Sequence, residues 1–443
     1  MTTLAELKAR WAEAGVHTLV AQFTDIHGVA KGKFVPLAQL DALIERGAGF
    51  SGPSIWGTGL PRTGPRSEYY GRGDLATAAA LPWMPGYARI ACDGFVDGAP
   101  FDACPRQVLK RQTARLAERG WLLQAGIEPE FFLLERREQG YVPADDHDRL
   151  AKPSYDLKSL PRQREFLARL ADGLTACGFA IEQIDHEDAH GQYEINYAHA
   201  DALTSADRLM LFKMAGHAIA DELGLVFSMM PKPFADQPGS GMHFHLSLWG
   251  TDGECCMFDG APRELSDLGR HFVAGVLEHA PALCAIAAPT VNSYKRLSGS
   301  ASITGTTWAP ATIAHGPNNR TAMVRTLSGR FEWRLPDASA NPYLALAGVI
   351  AAGLDGIERA LEPPAACTDD LYEAAPAALA ERGIERLPRT LDAAIDALER
   401  DDVVLEALGA TLAAQFVDLK RREVADHARH VSTWELERYA AFF

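Results

Sequence analysis

Glu128 and Glu130 stand two residues apart in Gly-Ile-Glu-Pro-Glu-Phe-Phe-Leu-Leu. Side chains alternate along a strand, so both carboxylates fall on one face and Ile127, Phe131 and Leu133 on the other. Paired carboxylates call for a cation, although an exposed edge strand gives the same alternation. Three further segments carry acids or histidines at strand spacing: His186 and Glu187 with Glu194 in HEDAHGQYEI, His243 and His245 in GSGMHFHLSL, and Glu332 between Arg330 and Arg334 in GRFEWRL. Glu128, Glu130, Glu187, Glu194 and Glu332 are hard oxygen donors that suit Mg²⁺ or Mn²⁺ better than zinc. Buried together without cations, they would repel one another. Arg296, Arg320, Arg325, Arg330 and Arg334 lie close by in sequence. Each alone reads as a surface ion pair, but as a group their guanidinium forks form a cradle for carboxylates and phosphates. Metal-binding carboxylates beside phosphate-binding arginines imply nucleotide phosphoryl transfer, in which positioning and charge neutralisation do most of the work. The chain has neither a P-loop nor a kinase glycine loop, so another fold must carry this site.

The elements that would position these groups are readable in outline. Residues 1–15 predict an amphipathic helix, and HTLVAQFTDIHGVAKGKFVP predicts two strands around the turn at Asp25–Gly28. A helix at about 37–46 follows, then a Gly/Pro-rich stretch from Gly49 to Asp74, then strand-like segments near 75–92. From Pro105 to Arg119 a helix opens the larger part, where acid- or histidine-bearing strands alternate with helices at 160–177 and 204–223. The last eighty residues read as helices. The expected division is a small mixed domain at 1–103 and a larger one at 104–443.

Composition bounds what such a chain does. With 443 residues, 47% hydrophobic and 23% charged, it can bury one large core plus a smaller unit. A formal charge of −15 without a basic run argues against nucleic acid. Seven cysteines without a C-x-x-C pair predict reduced thiols and a cytoplasmic setting. Neither a signal-type apolar core at the N-terminus nor an apolar run of about twenty residues is present, so no membrane role is expected.

Six blocks in order, GIEPEFF, EDAHGQYEI, GSGMHFHLS, NSYKRL, NNRT and RFEWRLPD…ANPYL, resemble the signature blocks of the glutamine synthetase superfamily across nearly the whole chain. The resemblance implies an α+β fold: an N-terminal β-grasp domain, and a catalytic α/β domain whose antiparallel strands line a funnel. It also implies a homo-oligomer, a dodecamer of two hexameric rings, in which the N-terminal domain of one subunit closes the funnel of the next. Two or three Mg²⁺ (or Mn²⁺) per site would serve ATP and glutamate. Glu130, Glu187 and Glu194 match the ligands of the first metal, and Glu128, His243 and Glu332 those of the second. His245, Arg320, Arg325 and Arg330 match nucleotide and phosphate contacts, with Ser247 near the adenosine. Arg296, Arg334 and Gly239 match residues holding glutamate, and Arg320, Arg296 and Glu187 carry the catalytic roles. ATP would phosphorylate the γ-carboxylate, and an amine would displace the phosphate.

Departures from the family fall around the amine. Ser51 in FSGPSIW stands where ammonia-using bacterial members carry an Asp, and Trp308 in SGSASITGTTWAPATI stands where their flap presents a Glu. Losing a carboxylate from a partly dry cation site forfeits roughly 4 kcal/mol at an effective dielectric near 20, whereas an indole face returns about 0.5–2 kcal/mol. A methyl group recovers about 0.8 kcal/mol against an apolar wall. The expected amine pocket is Ser51, Ser54, Tyr155, Glu187 and Trp308, and the pattern resembles the type III-like branch, which includes γ-glutamylmethylamide synthetases. Ammonia-dependent glutamine synthesis is the competing reading, and a non-catalytic relative has no reason to keep all six metal-type ligands. Pro238 replaces a usual Asn before the glutamate loop, and Tyr372 sits where some relatives carry an adenylylated tyrosine.

Overall fold

The computed structural model describes residues 4–138, 140–258, 264–297 and 302–443. The start of the expected first helix (1–3) and the first part of the flap (298–301) lie outside the described residues.

The architecture is α+β, with two sheets. The first is drawn from the N-terminal hundred residues. Leu4–Glu13 is a helix that buries Leu7 and Trp11. Thr18–Thr24 and Ala30–Pro36 pair antiparallel, and Thr18–Thr24 also runs parallel to Tyr87–Val96. Asp25 makes the turn between the first two strands by accepting the N–H groups of His27 and Val29 on one carboxylate oxygen. The Gly/Pro-rich stretch is not all loop: its ends, Ala48–Ser51 and Glu68–Gly73, pair with each other, and Glu68–Gly73 pairs with Tyr87–Val96. Of the strand expected near 75–92, the first part is a short 3-10 turn, Leu75–Thr77, capped by the Asp74 side chain.

The second sheet carries the chemistry. Its strand order is Ile181–His186, Gln192–Tyr197, Trp121–Arg137, Met242–Gly250, Arg330–Trp333, Val324–Leu327 and His315–Pro317. All these neighbours are antiparallel except the last pair. The central strand, Trp121–Arg137, buries Ile127, Phe131 and Leu133 on one face, as the alternation predicts. Against that face lie the helices Pro105–Ala117 and Ala202–Glu222. Helix Pro342–Glu358 is apolar along nearly its whole length because other helices, including Asp267–Glu278 and Pro105–Ala117, surround it. The C-terminal helices include Leu391–Leu398, Asp402–Leu408 and Ala410–Arg429. Among the described residues, no helix is long and apolar enough to cross a membrane.

One buried cation ties the first sheet to helix Ala202–Glu222, which packs on the second. Arg106, on the helix that follows the first sheet, donates to both carboxylate oxygens of Asp207 at 2.9 and 2.8 Å, to Asp93 at 2.6 Å and to Asp74 at 2.8 Å. Tyr343 adds a hydroxyl to Asp207 at 2.6 Å. Removing the central cation leaves the buried Asp207 without an ion-pair partner and takes a guanidinium from the half-buried Asp74 and from Asp93, which keeps Lys110 at 2.6 Å. Arg106→Ala should therefore lower unfolding free energy by about 3–5 kcal/mol, measured by denaturant titration. A loss below about 1 kcal/mol would mean the three acids are independently solvated.

Candidate active site

Strand register builds the site. Glu130 lies opposite Glu194, and Glu194 opposite Asp185. Glu128 lies opposite His243, His245 opposite Glu332, and Glu332 opposite Arg325. Six neighbouring strands thus contribute acids, histidines or an arginine to a single face of the sheet, two each from Trp121–Arg137 and Met242–Gly250.

Two groups of ligand atoms converge. In one, Asp185, Glu187 and Glu194 each bring an oxygen within 4.8 Å of the others; in the other, Glu128, His245 and Glu332 do so. Asp185 is a residue that sequence reasoning missed, although its place two residues before Glu187 and across from Glu194 is a strand-spacing signal. Glu130 sits beside this group with one oxygen already accepting from Gln192 Nε2 at 2.7 Å and the Gly241 N–H at 2.8 Å. His243 lies between the groups: its Nδ1 is 3.3 Å from Glu332 and 3.6 Å from Glu128, and its Nε2 is 4.0 Å from Glu130. His245 Nε2 is 2.7 Å from Glu128, and its Nδ1 accepts from Arg330 Nε at 2.9 Å.

The two groups differ electrically. Burial first, and then neighbouring carboxylates, push Glu187 and Glu194 well above the carboxylate range and Asp185 up to about 6. Burial opposes ionisation of Glu332 too, but Arg334, His243 and His245 hold its carboxylate at about 2. Glu128 is likewise held low by hydrogen bonds from His243 and His245 that overcome its burial. The second group is thus largely compensated by protein cations, while the first is not. Asp185 Oδ1 and Asn196 Oδ1 are buried there without a hydrogen-bond partner. Mutually repelling carboxylates with two buried oxygens left over fit a hard divalent cation.

The arginines divide similarly. Arg325 donates to Glu332 at 2.9 Å and to Asn318. Arg330 reaches His245, while Arg320 is exposed, close enough for its charge to act on Tyr155 and Arg325. Arg296 is buried, its guanidinium tied to the carbonyls of Leu335 and Arg334. Arg334 pairs with Glu332, donates to the Trp308 carbonyl at 2.9 Å and keeps its Nε buried without a partner. A cleft of about 520 Å³, of a size to accept a nucleotide, is lined by Glu128, His245, Ser247, Gly329 and Arg330 among others. In it Ser247 Oγ accepts from the Trp249 indole at 2.8 Å.

A smaller cavity gathers Glu130, Glu187, Asp188, Pro238, Gly239, His243, Arg296 and Trp308. Pro238 and Gly239 line it together with Arg296. A Cβ on Gly239 would sit 2.2 Å from the Pro231 carbonyl, so no other residue fits. Trp308 brings its indole to this cavity and donates Nε1–H to Asp188 at 2.9 Å. Tyr155 is not among the residues that line this cavity; its side chain is mostly exposed, near enough to Glu187 to feel its charge. Ser51 and Ser54 do not join: they bond to each other at 3.0 Å on the first sheet's edge, and Ser54 lines a crevice against Gln415 and Arg422 of a C-terminal helix. Tyr372 is engaged, its hydroxyl donating to the Ala309 carbonyl at 2.9 Å.

Groups held above their ordinary pKa keep protons until a cation displaces them. Mg²⁺ affinity should therefore rise with pH through about 6, and binding near that pH should release about one proton or more, read by calorimetry in buffers of different ionisation enthalpy. Binding without proton release would mean that Asp185, Glu187 and Glu194 are already ionised.

The family pattern described as "Glutamine synthetase, catalytic domain" matches residues 102–439. The chain is 49% identical to a glutamate–methylamine ligase of Methyloversatilis universalis over 97% of this chain and 98% of that one. It is 40% identical to a glutamine synthetase of Thermus thermophilus, over 100% and 99% of the two chains. Among solved structures, one described as "GmaS/ADP complex-Conformation 1" superposes over all of both chains with a TM-score of 0.92 at 38% identity. The chain belongs to the glutamine synthetase family.

Proposed function

We propose that this chain is an ATP-dependent ligase that joins the γ-carboxylate of glutamate to methylamine through γ-glutamyl phosphate. The observation that carries the choice of amine is the cavity in which Glu187 faces Trp308 beside Arg296 and Gly239. An apolar indole there favours a methylated amine over bare ammonium. The 49% identity to a glutamate–methylamine ligase, against 40% to a glutamine synthetase, points the same way.

The residues divide the work by position. Two or three Mg²⁺ or Mn²⁺, held by Glu130, Glu187, Glu194 and Asp185 on one side and by Glu128, His243 and Glu332 on the other, would supply charge neutralisation at the ATP phosphates and the reacting carboxylate. His245, Ser247, Arg325 and Arg330 orient the nucleotide. Arg320 reaches over the transferred phosphoryl group as a bidentate fork. Arg296, with the unpaired Nε of Arg334 and the backbone at Gly239, holds glutamate so that its γ-carboxylate oxygen meets the terminal phosphorus in line. Glu187 takes the proton that the amine must lose, and Trp308 excludes water from the acyl phosphate.

We further propose that the chain works as a homo-oligomer, a dodecamer of two hexameric rings. Ser51 and Ser54 then complete the amine pocket of the adjacent subunit, which explains their distance from their own chain's cavity. Domain limits near 103 and 104 fit this arrangement, since the first sheet ends at Ala99–Pro100 and the second begins at Trp121.

Phosphate release measured across an amine panel tests the reading. One methyl group is worth about 1–3 kcal/mol in a pocket, so kcat/KM for methylamine should exceed that for ammonium by roughly 10- to 200-fold. Trp308→Ala should erode methylamine use more than glutamate or ATP use, and Ser51→Asp should shift efficiency toward ammonium. Equal or better efficiency with ammonium in the unmodified enzyme would leave ammonia-dependent glutamine synthesis as the function.

A further inference from the structure

The carboxylate of Asp188 has no part in the mechanism above, yet it ties together three segments that meet at the amine cavity. The residue is buried and directly follows Glu187, whose carboxylate accepts the Asp188 backbone N–H at 3.1 Å. One of its side-chain oxygens accepts the Trp308 indole N–H at 2.9 Å, and the other accepts the Ser154 hydroxyl at 2.8 Å. Trp308 is itself 40% exposed and sits at φ +54°, in the left-handed region where a bulky residue is strained and must be held from outside. Other bonds on this stretch act on backbone: Arg334 donates to the Trp308 carbonyl, Tyr372 donates to the Ala309 carbonyl, and the Trp308 N–H donates to Thr306 Oγ1 at 3.4 Å. Among the described contacts, the bond to Asp188 is the hydrogen bond that reaches the ring. It fixes which way the indole faces. Ser154 adjoins Tyr155, which also has a positive φ, of +63°, and whose N–H donates to the His186 carbonyl at 2.8 Å. One residue therefore sets the three in mutual register: its carboxylate holds Trp308 and the Ser154–Tyr155 turn, and its backbone N–H holds Glu187.

We infer that Asp188 is a positioning residue that latches the Trp308 ring across from Glu187 and so sets the enzyme's choice of amine. The inference rests on the reading of Trp308 as the wall of the amine pocket. A latched ring presents a fixed apolar face to a methyl group and keeps water from the cavity; a ring free to swing does neither. The departure that removes an acid at position 308 is thus coupled to an acid at position 188 that orients its replacement.

Three variants and two readouts test the latch. Asp188→Asn can keep both bonds, its amide oxygen accepting the indole N–H and its amide nitrogen donating to the Ser154 oxygen, so its methylamine KM should stay within about 3-fold of the unmodified enzyme. Asp188→Ala should raise the methylamine KM, and lower the preference for methylamine over ammonium, each on the order of 10-fold, with the KM values for glutamate and ATP nearly unchanged. Trp308→Phe keeps an aromatic face without the N–H and should resemble Asp188→Ala; it carries the test if Asp188→Ala does not assemble. Backbone hydrogen exchange over 302–313 should rise in Asp188→Ala and not in Asp188→Asn. An unchanged amine KM and preference in both Asp188→Ala and Trp308→Phe would overturn the latch. If the unmodified enzyme shows no preference for methylamine, the proposed function fails by itself, and exchange alone then judges the latch: no rise in Asp188→Ala overturns it.

Discussion

Electrostatic repulsion on one face of one sheet is the constraint around which this protein is arranged. Asp185, Glu187, Glu194 and Glu130 are crowded into partly dry space with few counter-charges, and the strands cannot separate because their opposite faces are locked into the core. The fold therefore holds its carboxylates where they are costly and leaves their neutralisation to divalent cations. Glu128 and Glu332 sit a few ångströms away under histidines and arginines and are stabilised by the protein itself. That asymmetry separates a region poised to gather positive charge from one already balanced.

Antiparallel pairing explains how so many groups reach one place from distant parts of the chain. A register shift of one residue in Met242–Gly250 would turn His243 and His245 toward the core, so the buried Met242, Phe244 and Leu246 guard the position of the histidines as much as their own packing. The Arg106 cluster works at longer range, fixing the helix after the first sheet against the helix that carries Asp207.

Much of this was readable from residue types at strand spacing. Alternation around Glu128 and Glu130 placed both on the polar face, and the acid- and histidine-bearing segments did become neighbouring strands. What sequence did not give has physical reasons. The strands Ala48–Ser51 and Glu68–Gly73 are hidden by Gly and Pro, whose local preferences are overridden by the pairing of these strands with each other and of Glu68–Gly73 with Tyr87–Val96. Asp185 was passed over because its role depends on which residue it faces across the ladder. Asp188 was missed because its partners, Trp308 and Ser154, lie far from it in sequence, and a single Asp between Glu187 and Ala189 carries no periodic signal. Ser51 and Ser54 stand apart from the cavity within one chain, a relation that spacing cannot reveal.

In the proposed function these charges serve to phosphorylate the γ-carboxylate of glutamate, which methylamine then attacks. Glutamate labelled with ¹⁸O in its γ-carboxylate, turned over with unlabelled ATP and methylamine, tests this most directly. If a carboxylate oxygen attacks phosphorus and departs with it, mass spectrometry will find one ¹⁸O in each inorganic phosphate released. Phosphate free of ¹⁸O during amide formation would contradict the account, because the amide would then have formed without an acyl phosphate.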